Sequence, residues 1–505
     1  MKQQHSEEIK RRKRRLDERL GRGSRAERGR PMFGGGNESF ELSERAVATA
    51  CGGIGLVHRL VRQVGLAQRI DEAVQVFDGP SPYRVSDHVL NLTYNVVCGG
   101  RTLDDLEVLR EDEAYMTALG AARIPDPTTA GDFLRRLDRG QIDDLSEAIN
   151  ETRKRIWKKN KPSFFELAVI DVDGTIAGTQ GGCKEGMDMS YKGIWGYAPL
   201  LVTLANTGEI LYTRNRPGNR PSHDGCFEYL DPAVEVVRDA GFKRVRLRGD
   251  CHFSLTEDFD YWTKNKVEFV FGVAGHPTIV GIAEGLADGE WTRLERDSRT
   301  AGPCRRGARK PRVKQGIIEE RGYKNLELER EEYAGFAYRP AKCSRPYRMV
   351  VLRKTIKVQQ GQALLIPEVR YHFYITNVAK SVLSARQVIR NANARCNQEN
   401  LIEQSKNGVH AMRMPCDTLL ANDAYMVMAC LAWNLKQWIA QLWPNDVQGE
   451  DLKRMEFRRF ISSIVALPCQ VVRSGRRIVH CFLGYSSWLK ALFRAHSRFK
   501  RLRFA

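Results

Sequence analysis

Two aspartates two residues apart, Asp171 and Asp173, close an apolar run in the stretch ELAVIDVDGT, Glu166 to Thr175. Side chains along a strand alternate with period two, so a strand here delivers both carboxylates to one face. Paired carboxylates are what hard divalent cations prefer as ligands. Two further acids are placed to join them: Asp250, at the end of the run FKRVRLRGDCHFS, and Glu399, inside a helical stretch from Ser384 to Lys406. Arg395, Glu399 and Lys406 are separated by four and seven residues, which at about 100° per residue places them along one stripe of a helix. A carboxylate flanked by cations suits a metal ligand beside a phosphate backbone; a solvated face with an i,i+4 ion pair explains the same spacing. Glu403 falls near that stripe too, and helix geometry alone does not choose between it and Glu399.

The elements that must position these residues begin at Lys161. ELAVIDV is followed by APLLVTLA, a turn at Asn206-Thr207-Gly208 and EILYT, which reads as a hairpin. A polar loop, RNRPGNRPSHDG, leads to an amphipathic helix from Cys226 to Ala240 and then to the strand ending at Asp250; a helix from Glu257 to Asn265 and a strand VEFVFGV follow. Three hairpin-connected strands and then helix, strand, helix, strand is the order of a ribonuclease-H-like α/β sheet. In that order the first and fourth strands are neighbours, and Asp173 meets Asp250 at the strand ends, where open α/β sheets place their sites.

Around this core the reading divides the chain into a basic arm (1–45), a helical DNA-binding domain (46–160), a first part of the core (161–288), a β-rich insertion (289–378), a second part of the core (379–445) and a basic C-terminal region (446–505). The first 31 residues carry twelve Lys/Arg against five Asp/Glu and almost no apolar side chains, the composition of a segment left disordered until an anion orders it. DPTTAGDFLRRL fits either a DNA-contacting helix or an ordinary capped one. The insertion opens with nine Lys/Arg and two acids between Arg293 and Lys314, including Arg305, Arg306 and Lys310, and interleaves aromatics with charge. From Phe457 onward there are eleven Lys/Arg and no acid.

Over 505 residues the net charge is +20, which points to a polyanion, and nucleic acid is the usual one. The longest apolar run, Ala424 to Trp433, has ten residues, whereas spanning a bilayer takes about 20. The expectation is therefore a cytoplasmic, nucleoid-associated chain with no membrane segment, no apolar leader and no small-molecule cofactor. Twelve cysteines without a C-x-x-C pair read as reduced thiols.

Together these residues resemble the DDE transposases of bacterial insertion sequences, DDE group 1, and specifically the type of insertion-sequence family 1380. Asp173-Gly174-Thr175 matches the first motif, Asp-x-Thr, and Arg248-Gly249-Asp250 with Phe253 matches the second, Arg-Gly-Asp-x-x-Phe. Arg395, Glu399 and Lys406 match the third, Tyr-x2-Arg-x3-Glu-x6-Lys, with Ala392 in the Tyr position; Arg216 to Asn219, RPGN, matches the loop before the second acid. The resemblance implies that Asp173, Asp250 and Glu399 hold two Mg²⁺ ions, or Mn²⁺ in their place, with Asp171 beside them. Arg395, Lys406 and Arg248 would then touch DNA, along with the cations of the insertion. It also implies a homodimer on DNA that cuts at the terminal inverted repeats and joins 3′ ends to target DNA.

Two alternatives stand beside it. DVDGT also opens haloacid-dehalogenase-type phosphatases, with Asp171 as nucleophile and Asp173 as general acid, although the later acidic motif is missing at Ser254 and a hairpin stands where parallel βαβ units belong. The other is a non-catalytic basic DNA-binding protein.

Overall fold

The structure is a computed structural model that describes residues 3–22, 38–40, 47–295, 326–359, 362–444 and 446–504. Its centre is a nine-stranded mixed sheet. We number its strands β1 (Ala168–Gly174), β2 (Leu200–Leu204), β3 (Glu209–Arg214), β4 (Val245–Gly249), β5 (Val267–Val273), β6 (Thr292–Arg293), β7 (Leu326–Tyr338), β8 (Tyr347–Gln359) and β9 (Gln362–Thr376). Across the sheet they run β6-β7-β8-β9-β5-β4-β1-β2-β3. The β1–β2 and β2–β3 pairs are antiparallel, whereas β1–β4 and β4–β5 are parallel. The expected adjacency of the first and fourth strands is therefore present.

One face of β1, Ala168, Ile170 and Val172, is buried in the core that includes Leu230, Val234 and Val237 of the Phe227–Asp239 helix and Trp262. The insertion does not form a separate layer. Its strands β7 to β9 extend the same sheet, because β9 pairs antiparallel with β5 from Phe373↔Val273 to Thr376↔Val270. The aromatics of this region mostly pack: Trp291 and Tyr347 are buried, and the Arg353 guanidinium lies 4.0 Å from the Trp291 ring centroid. Arg305, Arg306 and Lys310 lie outside the described residues.

The helices between Ile54 and Trp157 do not close a core of their own. They share one with the Leu419–Leu442 helix and with the C-terminal Leu489–Phe499 helix. Glu209, at the start of β3, pins this junction: it accepts from Trp157 Nε1 and Trp438 Nε1, both at 2.7 Å, and from Gln441 Nε2 at 2.9 Å. The DPTTAGDFLRRL segment is a capped helix, Pro127–Arg136, with Asp126 accepting from Thr129 N and with Arg135 held by Asp417 and Asp132. Trp488 and Phe499 of the basic C-terminal region are core residues.

The arm departs from expectation, since Gln3–Arg22 is a helix rather than a disordered segment. Its charges are partly internal, with Glu8 pairing Arg11 and Arg12. The helix is seated on the fold: Ile9 packs on the main core, His5 stacks on Phe493 at 5.1 Å, and the Arg12 guanidinium donates to the Phe482 carbonyl at 2.6 Å. Composition alone hides such an anchor.

Candidate active site

Parallel pairing of β1 with β4 runs from Ala168↔Val245 to Asp171↔Arg248. The register offset is 245 − 168 = 77, and 250 − 173 = 77, so Asp173 and Asp250 occupy matching positions at the end of the two strands. Neighbouring strands are about 4.8 Å apart. Two details of Arg-Gly-Asp-x-x-Phe follow from packing there. A Cβ at Gly249 would stand 2.7 Å from Phe253 Cβ and 3.0 Å from the Phe271 ring, so glycine lets the buried Phe253 fold back under the strand end. Asp250 then caps the short turn after it, accepting from His252 N at 2.9 Å.

Glu399 comes from the far side of the chain. The expected continuous helix from Ser384 to Lys406 is in fact Ala385–Asn393, then Cys396–Glu403, then a π-helical turn, Gln404–Gly408. Arg395 sits at the break as the residue before the second helix, and its Nη2 donates to Asp173 Oδ2 at 3.0 Å. The single stripe of Arg395, Glu399 and Lys406 therefore needs correction. The break turns Arg395 onto Asp173, and the wider π turn changes the angular phase before Lys406, whose Nζ donates to the Ile176 carbonyl at 2.9 Å. Neither cation stands open to solvent: Arg395 is buried to 16% side-chain exposure, and burial lowers the Lys406 ammonium's pKa.

Two further carboxylates nonetheless act on Asp173. Burial pushes the Asp173 carboxyl up to about 6; Arg395 opposes this, and the charges of Asp250 and Glu399 reinforce it. Glu403 has no such part. It is exposed and accepts from Asn407 Nδ2 at 2.6 Å on its own helix, so the structure separates the two glutamates that spacing leaves equivalent. The trio is not closed into one ligand cluster. Among the described residues, the group whose ligand atoms lie within 4.8 Å of one another is Asp250, Cys251 and His252, with Asp250 half-buried and the other two exposed.

Asp171 and Arg248 are corrected more strongly. Asp171 is 1% exposed, and both its oxygens accept from Arg248, Oδ1 from Nε at 2.6 Å and Oδ2 from Nη2 at 2.7 Å. Its lone pairs are turned to a guanidinium, which excludes it as an open metal ligand and equally as a phosphatase nucleophile. Arg248 is buried in turn and is not a DNA-facing cation. Its Nη1 donates to the Asn391 carbonyl at 3.0 Å, while Arg246 Nη1 donates to Asn391 Oδ1 at 3.0 Å. These bonds tie β4 to the helix that precedes Arg395. The sequence reading missed this role, and it also missed Gln398, which is buried and accepts from Thr203 Oγ1 of β2 beside Glu399. Gln398 and Leu401 share the inward spacing of a helix, the one signal in the sequence that marks this side as seated.

The residues fit a divalent cation. The donor set is carboxylate, the charges of Asp250 and Glu399 both reach Asp173, which favours a bound cation, and Arg395 pairs with Asp173 Oδ2 meanwhile.

The profile of the family described as Transposase DDE domain group 1 matches residues 46–504. The chain belongs to that family of DDE transposases. No curated protein matches it. Among solved structures, a piggyBac transposase synaptic complex with hairpin DNA is similar over 83% of this chain and 83% of that one, at 10% identity and a TM-score of 0.34. Among the described residues, no helix of this transposase is long and apolar enough to cross a membrane.

The raised carboxyl has a consequence for pH. Native Asp173 keeps its proton to about 6, above the ordinary carboxylate value, so between about 4 and 6 the folded state binds more protons than the unfolded chain. Its contribution to stability is present below that window and is lost as pH rises through it. A divalent cation held by Asp173 would compete with the same proton, so if Asp173 is a ligand, apparent Mg²⁺ affinity, measured by calorimetric titration, is expected to fall as pH drops through about 6. An affinity that stays constant down to the ordinary carboxylate range would show that Asp173 is not a ligand.

Proposed function

We propose that this chain is a transposase of the insertion-sequence family 1380 type, built on a ribonuclease-H-like core, which cuts DNA at terminal inverted repeats and joins the 3′ ends to target DNA. The observation that carries the reading is the register of β1 and β4. It aligns Asp173 with Asp250, and the family match spans both strands and the Glu399 helix. The strand order 3-2-1-4-5 of β3, β2, β1, β4 and β5, with its two parallel pairs, supports the fold assignment.

Asp173, Asp250 and Glu399 would hold the cations. Two Mg²⁺ ions, when bound, supply the positive charge that an in-line displacement at phosphorus needs, and Mn²⁺ would serve in their place. Arg395 is then free to exchange its bond to Asp173 for a DNA phosphate, a partner its planar donor fork fits. Lys406 holds the backbone just past Asp173 and brings a positive charge beside it. Asp171, through Arg248 and Asn391, fixes the height of the helix that precedes Arg395. The net charge of +20 supplies sequence-independent attraction to duplex. Two chains bridging two ends would complete the assembly on DNA.

The test is a supercoiled plasmid carrying the inverted repeats that flank the gene. Nicking that requires Mg²⁺ and the repeats is the expected result. Binding without any cut, in Mg²⁺ or Mn²⁺, would leave a DNA-binding protein and remove the enzyme.

A further inference from the structure

Between β1 and β2 the chain makes an excursion that catalysis as described above does not use. Ala177–Gly178, Asp188–Met189 and Trp195–Tyr197 form a small three-stranded sheet, with Trp195–Tyr197 in the middle. Its tip is a tight turn. Gly193 N donates to the Ser190 carbonyl at 2.8 Å, and Gly193 adopts the left-handed conformation, φ 70°, which a side chain would oppose. Buried Ser190 ties the turn again, accepting from Ile194 N at 3.0 Å.

This hairpin stands on the RPGN loop. A Cβ at Gly218 would lie 2.2 Å from the Gly196 carbonyl oxygen and 2.3 Å from that of Asp188, so only glycine lets the loop press against both hairpin strands. Pro217 bridges to Tyr197, and the buried Arg216 guanidinium donates to the Ala198 carbonyl at 2.9 Å and to those of Ser222 and Asp224. The motif that the sequence singled out thus forms the pedestal of a stiff projection.

The projection presents apolar surface. Met189 is 52% exposed, Tyr191 74%, Ile194 42% and Trp195 40%, four large exposed side chains within seven residues, two of them aromatic. Trp195 is also the exposed member among the eight tryptophans, since the other seven are at most 9% exposed. Cationic charge accompanies it: Lys192 Nζ lies 5.4 Å from the Tyr191 ring centroid, and its charge is felt by Lys406. The position is close to the candidate site. Ala177, which pairs with Tyr197, is four residues beyond Asp173, at most roughly 13 Å of extended chain or about four base steps.

We propose that the hairpin from Asp188 to Tyr197 is a single-strand contact, with Tyr191 and Trp195 stacking on unpaired bases of the DNA strand next to the cleavage position. Rings on a rigid mount with a lysine beside them are what base stacking along a phosphate backbone requires. The inference rests on the transposase reading for its location, and its test is separable from that reading.

Trp195 reports on itself. The full chain is titrated with oligo(dT) and with a duplex of equal length, following tryptophan fluorescence, with binding followed independently by anisotropy of a labelled oligonucleotide. Oligo(dT) is expected to quench the wild-type chain more than duplex does. Trp195→Phe should lose the quench while keeping oligo(dT) bound. Tyr191→Ala with Trp195→Ala should weaken oligo(dT) at least about tenfold and change duplex affinity by less than about twofold. Quenching that persists in Trp195→Phe, an equal loss on duplex, or a Trp195 shielded from acrylamide by rising protein concentration without DNA would each overturn the proposal. Mg²⁺-dependent nicking is scored alongside. Cleavage with no stacking signal rejects the hairpin alone, and stacking with no cleavage rejects the catalytic assignment alone.

Discussion

Glu399→Gln is expected to bind inverted-repeat DNA as the wild-type chain does and to lose Mg²⁺-dependent strand cleavage by roughly a thousandfold, about 4 kcal/mol on the barrier. The glutamine keeps the shape of the side chain and removes one of the two charges that reinforce the raised carboxyl of Asp173. Because Glu399 is exposed in the first turn of its helix, the substitution should leave folding intact. Glu403→Gln is the control that gives the result meaning. Its carboxylate serves only Asn407 and the local field of Lys406, so cleavage should remain within about threefold of wild type. The two variants are compared on labelled end DNA in Mg²⁺, with binding measured in Ca²⁺, a larger hard cation that fills oxygen sites with different geometry. Wild-type cutting by Glu399→Gln would dissolve the proposed triad, and an equal loss in both variants would point to damage to the helix rather than to a ligand.

How far the sequence foretells this site depends on the range of the forces involved. The alignment of Asp173 with Asp250 is legible because each acid ends a strand, the first apolar and the second alternating apolar with basic residues, and the connections leave one economical strand order. The Asn206-Thr207-Gly208 turn makes the hairpin, and the helix before Val245 makes a parallel neighbour. The break at Arg395 is not legible. It depends on a carboxylate 222 residues away drawing the guanidinium out of the helical line. The same holds for the arm, whose Ile9 and His5 acquire a partner only once the C-terminal helix is in place. Domain limits drawn from composition also run through one shared core. Nothing local announces that Glu209 will be held by Trp157 and Trp438. RPGN is a case between the two, visible as a motif and explicable only when Gly218 is found pressed against Gly196 and Asp188.

Asp171→Asn should cost the fold roughly 3–5 kcal/mol, because it leaves the buried Arg248 cation without its countercharge. Cleavage should fall as well, by a route that stability alone does not explain. Arg248 spends its remaining donor on the Asn391 carbonyl, and a guanidinium no longer gripped on two sides by Asp171 holds that helix end less firmly. Arg395 and Glu399 follow directly after that helix, so their placement against Asp173 loosens with it. The two effects separate in a double variant, Asp171→Val with Arg248→Met, which exchanges the buried ion pair for apolar groups of suitable volume. Such exchanges are often neutral or stabilising, so the thermal midpoint should return to within a few degrees of wild type. Cleavage should stay low, because methionine offers Asn391 no donor. Asp171 would then be a positioning residue whose work is done through Arg248. If cleavage recovers in parallel with stability, the pair only holds the sheet together, and the helix bearing Arg395 and Glu399 is positioned by Gln398 and Thr203 without it.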